Sequence, residues 1–342
     1  MKNETRIAYK ALAEQVAKLN NVGSAAEKFD VQPSIQQRLE NAIQESNDYL
    51  QRVNFVGVDE MSGEKLKLGV SGPMASRTDT TTKERTPKER HKLGSNGYKC
   101  EKTDFDTAFK YVTLDSWAKF PDFQTRLSGM LATQQGLDRL MIGWNGTHAA
   151  KDTNIADNPL LQDVNVGWLQ SLRDDAPSQV MSEIKPGSKQ VRVGPGGDYE
   201  NLDALVFDAL TLLAPWYQED TGVLAHVGRK LMHDKYFPMI NRQQRATDEL
   251  ATQVILSQKA IGGRTGIAVP FFPANSLLLT RPDNLSLYYQ NGKRRRQLID
   301  EPRRDQVADY QSSNDAYVVE RLDGAVLVEN IVIGDWSKPT DL

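Results

Sequence analysis

A chain of 342 residues with 39% hydrophobic content is long enough to bury substantial cores, and its length suggests two or three domains. Its 42 basic and 45 acidic residues leave a net charge of −3, which argues against a dedicated nucleic-acid binder with a basic arm. The lone Cys100 excludes an internal disulfide, no charged-then-apolar leader opens the chain, and no run is apolar enough to span a bilayer, so folding in a reducing cytoplasm is expected.

Glu4 to Asn20 reads as a short, separable amphipathic helix with Ile7, Ala11, Leu12, Val16 and Leu19 on one side, closed by Asn20, Asn21 and Gly23. Ser34 opens a second helix, with Gln37 completing a capping box and Ile35, Leu39, Ile43, Leu50 and Val53 following at near-helical intervals. Val53 to Val58 and Lys65 to Val70 read as two strands around a turn at Met61 to Glu64. Met74 to Gly97 is almost devoid of apolar residues and rich in threonine and charge, so it cannot build a core of its own. Phe105, Thr107, Phe109, Tyr111 and Thr113 alternate as a returning strand.

Asp115 to Asn145 is then expected to be one long helix. Its apolar residues Phe123, Leu127, Met130, Leu131, Leu137, Leu140, Met141 and Trp144 keep helical spacing, Pro121 and Asp122 suit a first turn, and Asn145-Gly146 stops it. Such a helix must lie across a larger body as a strut. Asn145-Gly146-Thr147 also matches a glycosylation sequon, which without a secretory signal is a chance match.

Asn158 to Trp168 and Pro186 to Gly197 read as irregular connections. A helix over Leu202 to Leu213 ended by Pro215, a strand at Val223 to Val227, a helix over Arg229 to Tyr236 bounded by Pro238, and a helix over Asp248 to Ile261 suggest a compact α/β subdomain. The remainder is β-rich, with hairpin turns expected at Asn291-Gly292 and at Asp323-Gly324.

The chemical candidates are few. His226, His233 and Asp234 lack any second ligand cluster at metal-binding spacing, so they read as core or solvated residues. Gly194-Pro195-Gly196-Gly197 precedes a helix and would suit a phosphate, but it lacks the lysine and hydroxyl of a P-loop and the Rossmann spacing, so a flexible connection is the simpler reading. Cys100 has no base beside it and reads as a structural thiol. Lys293-Arg294-Arg295-Arg296, the one dense basic run, reads as an exposed strand end, with a phosphate- or partner-binding patch as the competing reading. No catalytic, cofactor-binding or metal-binding residue is assigned.

In order, these parts resemble the major capsid proteins of tailed bacteriophages, of the peduovirus type. The resemblance rests on Gln44-Glu45-Ser46, Gly63-Glu64-Lys65, Leu114-Asp115-Ser116-Trp117-Ala118, Asp122-Phe123-Gln124, Asn158-Pro159-Leu160-Leu161-Gln162-Asp163-Val164 and Val166-Gly167-Trp168-Leu169-Gln170. Gly196-Gly197-Asp198-Tyr199, Pro215-Trp216-Tyr217-Gln218-Glu219-Asp220, Val227-Gly228-Arg229 and Asp234-Lys235-Tyr236-Phe237-Pro238 extend it across nearly the whole chain.

The resemblance implies an α+β fold of the Hong Kong 97-like capsid type. On this chain it implies an N-terminal arm over 1–54, whose first 20 to 33 residues are removed on maturation, and an extended β-hairpin loop over 55–112. A peripheral domain over 113–194 would carry a spine helix at 115–145, an axial α/β domain would span 195–270, and 271–342 would return to the peripheral sheet. It further implies a non-enzymatic subunit that assembles as pentamers and hexamers into an icosahedral shell around double-stranded DNA. The partners implied are other copies of itself, a scaffolding protein, a maturation protease, a portal protein and non-specifically held DNA, with no cofactor and no membrane; assembly is expected in the bacterial host cytoplasm. An encapsulin-like compartment shell is the nearest alternative, and a nucleotide-binding α/β enzyme using the Gly194 to Gly197 loop is the alternative of a different class.

Overall fold

A computed structural model describes residues 1–64, 69–70, 75–85, 91–92, 97–117, 120, 122–240 and 260–337. Two antiparallel strands thread the whole molecule. Leu277–Thr280 pairs with Ala325–Val328, and Leu285–Gln290 pairs with Gln306–Val319, so the two chain segments stay partners through both halves. Between the halves each segment makes a single 3₁₀ turn, Pro282–Asn284 in one and Leu322–Gly324 in the other. Buried Asn284 clamps this double kink: its side chain donates to the Arg321 carbonyl at 2.9 Å and accepts from the Arg321 amide at 2.9 Å.

On one side of the kink lies a seven-stranded sheet with Gln306–Val319 at its centre. On the other lies a six-stranded sheet containing Leu224–Val227. Strand alternation sends Leu278, Ala325 and Leu327 to the core shared with Leu285, Leu287, Tyr317 and Val319 of the first sheet. Leu277, Leu279, Val326 and Val328 point the other way, onto a second core under the helix Leu202–Leu210. The order is therefore sheet, core, sheet, core, helix. Trp144 and Trp168 anchor the shared core edge to face, with ring centroids 4.9 Å apart.

The hairpins expected at Asn291-Gly292 and Asp323-Gly324 do not form. Asp315 pairs with both Tyr289 and Glu101, while Ser312 pairs with both Arg295 and Asp104. Since Glu101–Asp104 is one strand, Leu285–Gln290 and Arg295–Glu301 must lie on the same edge of the central strand and run the same way. Asn291-Gly292 is thus an outward bulge in one interrupted strand, with Gly292 at φ 65°. Asp323-Gly324 sits in the sheet-crossing turn instead, because its flanking strands belong to different sheets.

Other boundaries shift for local reasons. The expected helix at 115–145 is two, Tyr111–Trp117 and Phe123–Asn145, with Asp122 at the N-cap of the second. Tyr111 and Thr113 accordingly belong to a helix, and the strand ends at Lys110. The second helix begins at Pro33, which suits the first helical position, and Gln32 makes no side-chain cap, so there is no capping box at Ser34. Met61 to Glu64 is no turn: Ser62–Glu64 pairs antiparallel with Gly97–Lys99, and Gly69–Val70 pairs antiparallel with His91–Lys92. Asn54–Val58, Glu101–Asp104 and Thr107–Lys110, at the two ends of the stretch 55–112, all join the seven-stranded sheet.

Pro215 opens the short helix Pro215–Gln218 rather than closing the previous one, which ends at Leu210. Arg229–Ile240 runs past Pro238. Ala260–Ile261 forms a strand that turns through Gly262-Gly263 into Arg264–Ile267, where both glycines have positive φ; the rest of the helix expected at Asp248 to Ile261 lies outside the described residues. Val191–Val193, within the stretch Pro186 to Gly197 read as irregular, is a strand, and Trp168, the last residue of the other such stretch, opens the helix Trp168–Asp175. The stretch expected as the axial unit, 195–270, is only part of the second layer, which also takes Val180–Met181, Leu277–Thr280 and Ala325–Val328.

Candidate functional site

One face of the central strand carries residues of odd number, and their chemistry changes along its length. Val307 meets the first helix, Asn3–Leu19, in an apolar cluster; Tyr317 and Val319 meet the shared core. Between them lie Asp309, Gln311, Ser313 and Asp315, all buried. A polar seam in a core requires partners for every group. It finds them in the long helix Phe123–Asn145, the arm helix Pro33–Glu45 and the bulge after Asn291.

Arg139, fully buried on the long helix, reaches Asp315 at 3.1 Å and donates to Glu40 of the arm helix. Arg294, turned inward by the bulge, donates to the other Glu40 oxygen at 2.9 Å and to the side-chain oxygens of Gln135 at 2.5 Å and Gln311 at 3.1 Å. Gln135 completes the ring by donating to Gln311 at 3.1 Å. Burial opposes the ionised form of Glu40, but the charges and hydrogen bonds of Arg139 and Arg294 more than offset it and hold its carboxyl below the ordinary value. Asp315 goes the other way: burial raises it, attraction to Arg139 opposes the rise, and repulsion from Glu40 adds to it. Burial also lowers Arg294, whereas at Arg139 the charges of Asp315 and Glu40 overcome burial and raise it. Two guanidiniums and two carboxylates thus balance inside the protein. Closed from solvent, the cluster is a fastener tying the arm, the long helix and the sheet together.

The reading of the basic run as an exposed strand end holds for Lys293 and Arg295, which are exposed, and fails for Arg294 and Arg296. Arg294 is 1% exposed, Arg296 pairs with buried Asp309 at 2.8 Å, and Arg295 meets Asp30 at 3.1 Å near the surface. Arg294 and Arg296 serve the chain's own packing, Arg294 because the bulge shifts it into the sheet interior. Arg139, Glu40, Asp315 and Gln135 were not singled out from the sequence. The available signal was polar residues at alternate positions of a strand ending in Tyr317-Val318-Val319, and Gln135 and Arg139 on the same helical face as Leu127 and Leu131.

The other candidates are scattered. His226 is fully buried, donating from Nδ1 to the Leu278 carbonyl at 3.1 Å and accepting at Nε2 from the Tyr49 hydroxyl at 2.7 Å. His233 lies exposed on the helix Arg229–Ile240. Among the described residues, no group of three or more His, Cys, Asp or Glu is placed to hold a metal ion. Cys100 is buried beside Val58, Tyr288, Ala316 and Val318, and burial pushes its thiol up to about 12.

The turn at Gly194 to Gly197 is occupied by the chain itself. The Gly334 amide donates to the Val193 carbonyl at 3.0 Å, and the Trp336 amide donates to the Pro195 carbonyl at 2.7 Å. Gly194 and Gly196 have φ of 128° and 73°, and a Cβ on Gly194 would come within 2.0 Å of the Gly334 carbonyl oxygen. The helix that follows is capped by Asn201, whose side chain accepts from the Ala204 amide at 2.9 Å. A phosphate cradle needs free amides, and those of Gly194, Gly197, Asp198 and Tyr199 already donate to the backbone carbonyls of Tyr199, Gly194 and Arg192.

Comparison with known proteins agrees with this architecture. Residues 8–331 match the family described as phage major capsid protein, P2 family. The chain is 46% identical over 348 residues to the capsid proteins of Escherichia phage P2, covering 99% of this chain and 98% of that protein. It is 38% identical over 339 residues to the major capsid protein of Serratia phage KSP20, covering 97% of each. Among solved structures, a satellite phage P4 procapsid including size determination (Sid) protein superposes with a TM-score of 0.82 at 44% identity, covering 98% of this chain and all of that one. The capsid of an empty GTA particle shares the fold alone, with a TM-score of 0.50 at 14% identity over 84% of this chain and 90% of that one. The relatives are phage capsid proteins, which disfavours both the compartment shell and the nucleotide-binding enzyme. With an α+β Hong Kong 97-like fold and a match over nearly its whole length, the chain belongs to the P2 family of phage major capsid proteins.

Proposed function

We propose that this subunit assembles as pentamers and hexamers into an icosahedral shell around double-stranded phage DNA, and that it has no catalytic role. The observation that carries this reading is the near full-length match to phage capsid proteins, supported by the long helix Phe123–Asn145 in the same chain. The subunit divides into an N-terminal arm, an extended loop, a peripheral body with the helix Phe123–Asn145 as its spine, and an axial unit under the helix Leu202–Leu210. A scaffolding protein, a maturation protease and a portal protein are its assembly partners, and assembly takes place in the bacterial host cytoplasm. The near balance of charge fits a shell whose DNA brings its own counterions.

Electron microscopy of the chain expressed with its neighbouring phage genes tests this. Closed shells on the order of tens of nanometres across are expected. Subunits that stay monomeric with scaffolding protein present would overturn it.

A further inference from the structure

The two helices of the arm are held by different physics. Asn3–Leu19 contributes Leu12, Val16 and Ala17 to an apolar cluster with Phe109, Leu114, Leu127, Leu298 and Val307. Its polar ties are few: the Lys2 amide donates to Asp115 at 2.8 Å, and Asn20, just past its end, accepts from the Gln32 amide at 3.1 Å. A surface cleft of about 620 Å³, lined in part by Tyr9, Ala13, Ala17, Leu298 and Ile299, runs along one side of it, while the space between the helix and its apolar seat is only about 20 Å³. Pro33–Glu45 instead inserts Glu40, the one carboxylate that touches both Arg139 and Arg294.

Removing the second helix alone would leave Arg139 and Arg294 facing Asp315, a net positive charge in the interior, with Arg294 keeping only amide oxygens. Removing the first uncovers apolar surface and strands no charge. Both helices are short, and only one carries a charge whose departure the core cannot tolerate.

We propose that Glu40 is the latch of the arm, holding Pro33–Glu45 in place while Asn3–Leu19 leaves and returns independently. The link between them, residues 20–32, includes the exposed residues Asn21, Gly23, Ser24, Ala26, Glu27 and Lys28. The inference concerns the free subunit and does not rest on the assembly reading.

Hydrogen exchange of the full-length chain, read peptide by peptide, tests it. In the natural protein, amides of Asn3–Leu19 are expected to exchange roughly tenfold or more faster than those of Pro33–Glu45. Glu40→Gln keeps the shape but removes the charge, and should speed exchange of the second helix by about a hundredfold, the scale of breaking a buried ion pair. Pairing it with Arg294→Met restores the charge balance and should bring the second helix back within about tenfold of the natural protein. The two helices exchanging together in the natural protein would overturn the proposal. So would unchanged protection in Glu40→Gln, or a double variant no better protected than the single one. If Glu40→Gln does not fold, the double variant decides alone: it must fold with Pro33–Glu45 protected.

Discussion

Tyr49 donates its hydroxyl hydrogen to Nε2 of His226 at 2.7 Å, joining the end of the arm to the six-stranded sheet across 177 positions of sequence. His226 in turn donates from Nδ1 to the Leu278 carbonyl, so its two partners fix a neutral ring. Around it lie Trp144 and Phe272, with ring centroids 6.0 and 6.5 Å away, and Arg52 adds a positive charge that also disfavours protonation. Burial, then Arg52, depress His226 to about 4, against backbone hydrogen bonds that favour protonation.

This sets a pH window with a definite sign. Above the ordinary value of 6.5 the ring is neutral whether folded or not, and its contribution to stability is fully present. Between 6.5 and about 4 the unfolded chain takes a proton that the folded chain refuses, so stability falls as the pH falls. From pH 7 to pH 5 the loss at this site should be roughly 2 kcal/mol. Denaturant unfolding at the two pH values, in the natural chain and in His226→Phe, measures it. The variant will be less stable at pH 7, because it strands the Tyr49 hydroxyl, but its acid-side slope should be shallower by about that amount. Equal slopes would show that His226 is not the group responsible.

Two glycines of one helix make a matched pair. A Cβ on Gly143 would lie 2.3 Å from Cζ3 of Trp168, a fully buried side chain, whereas a Cβ on Gly129 meets nothing within 4 Å. Alanine favours the helix by about 1 kcal/mol at either site. At Gly143 overpacking should exceed that gain, for a net loss of roughly 1 to 3 kcal/mol. Gly129→Ala should therefore raise the midpoint of thermal unfolding and Gly143→Ala lower it. Calorimetry of both variants checks the pair, and a stabilising Gly143→Ala would mean the two tryptophans are not packed as described.

How much of this was legible in the sequence follows from which interactions are local. Helical periodicity located Asn3–Leu19 and most of Phe123–Asn145 to within a few residues, because an apolar stripe is written in the stretch that uses it. Asn291-Gly292 misled because that pair marks positive φ, and a bulge and a hairpin turn ask for the same backbone. Telling them apart needed the central strand, which comes later in the chain and pairs with both flanks. Arg139 was hidden for a similar reason: a charge on a helix reads as a solvent face until Glu40 and Asp315 arrive from distant elements. Whole-chain motif resemblance was informative where local physics was silent, since it reads the order of parts rather than any one contact.

The first helix is expected to be absent from finished particles, as a maturation segment. The stretch Asn20 to Pro33, which would supply the cleavable site, is partly engaged: Phe29–Asp30 pairs with Arg295 and Arg296, and Val31 is buried. Cleavage without prior unfolding therefore falls among the exposed residues between Asn21 and Lys28, because a protease must bind extended backbone. Intact-mass measurement of purified mature particles reads the new terminus. A mass that begins at Met1 or Lys2 would rule out the processing.

The polar segment Met74 to Gly97 should be the first target of trypsin in the free subunit and resistant in the assembled shell. Part of it lies outside the described residues, so the argument uses the described stretch 75–85. There Arg77, Lys83 and Arg85 are all exposed, and the hydrogen bonds include those from the Thr81 amide and hydroxyl to Asp79, local to a turn. Ordering backbone costs roughly 1 to 2 kcal/mol per residue, and a segment with almost no apolar side chains has little burial to offset it. Contacts from neighbouring subunits must supply the difference, and those contacts would also exclude a protease. Limited digestion of free subunits should thus cut first at Arg77, Lys83 or Arg85 and leave a large C-terminal fragment carrying Phe123–Asn145 and both sheets' long strands. The same digestion of closed shells should spare those sites. A first cut elsewhere in the free subunit, with this segment intact, would mean that it is held by its own chain and is not the loop that neighbouring subunits clasp.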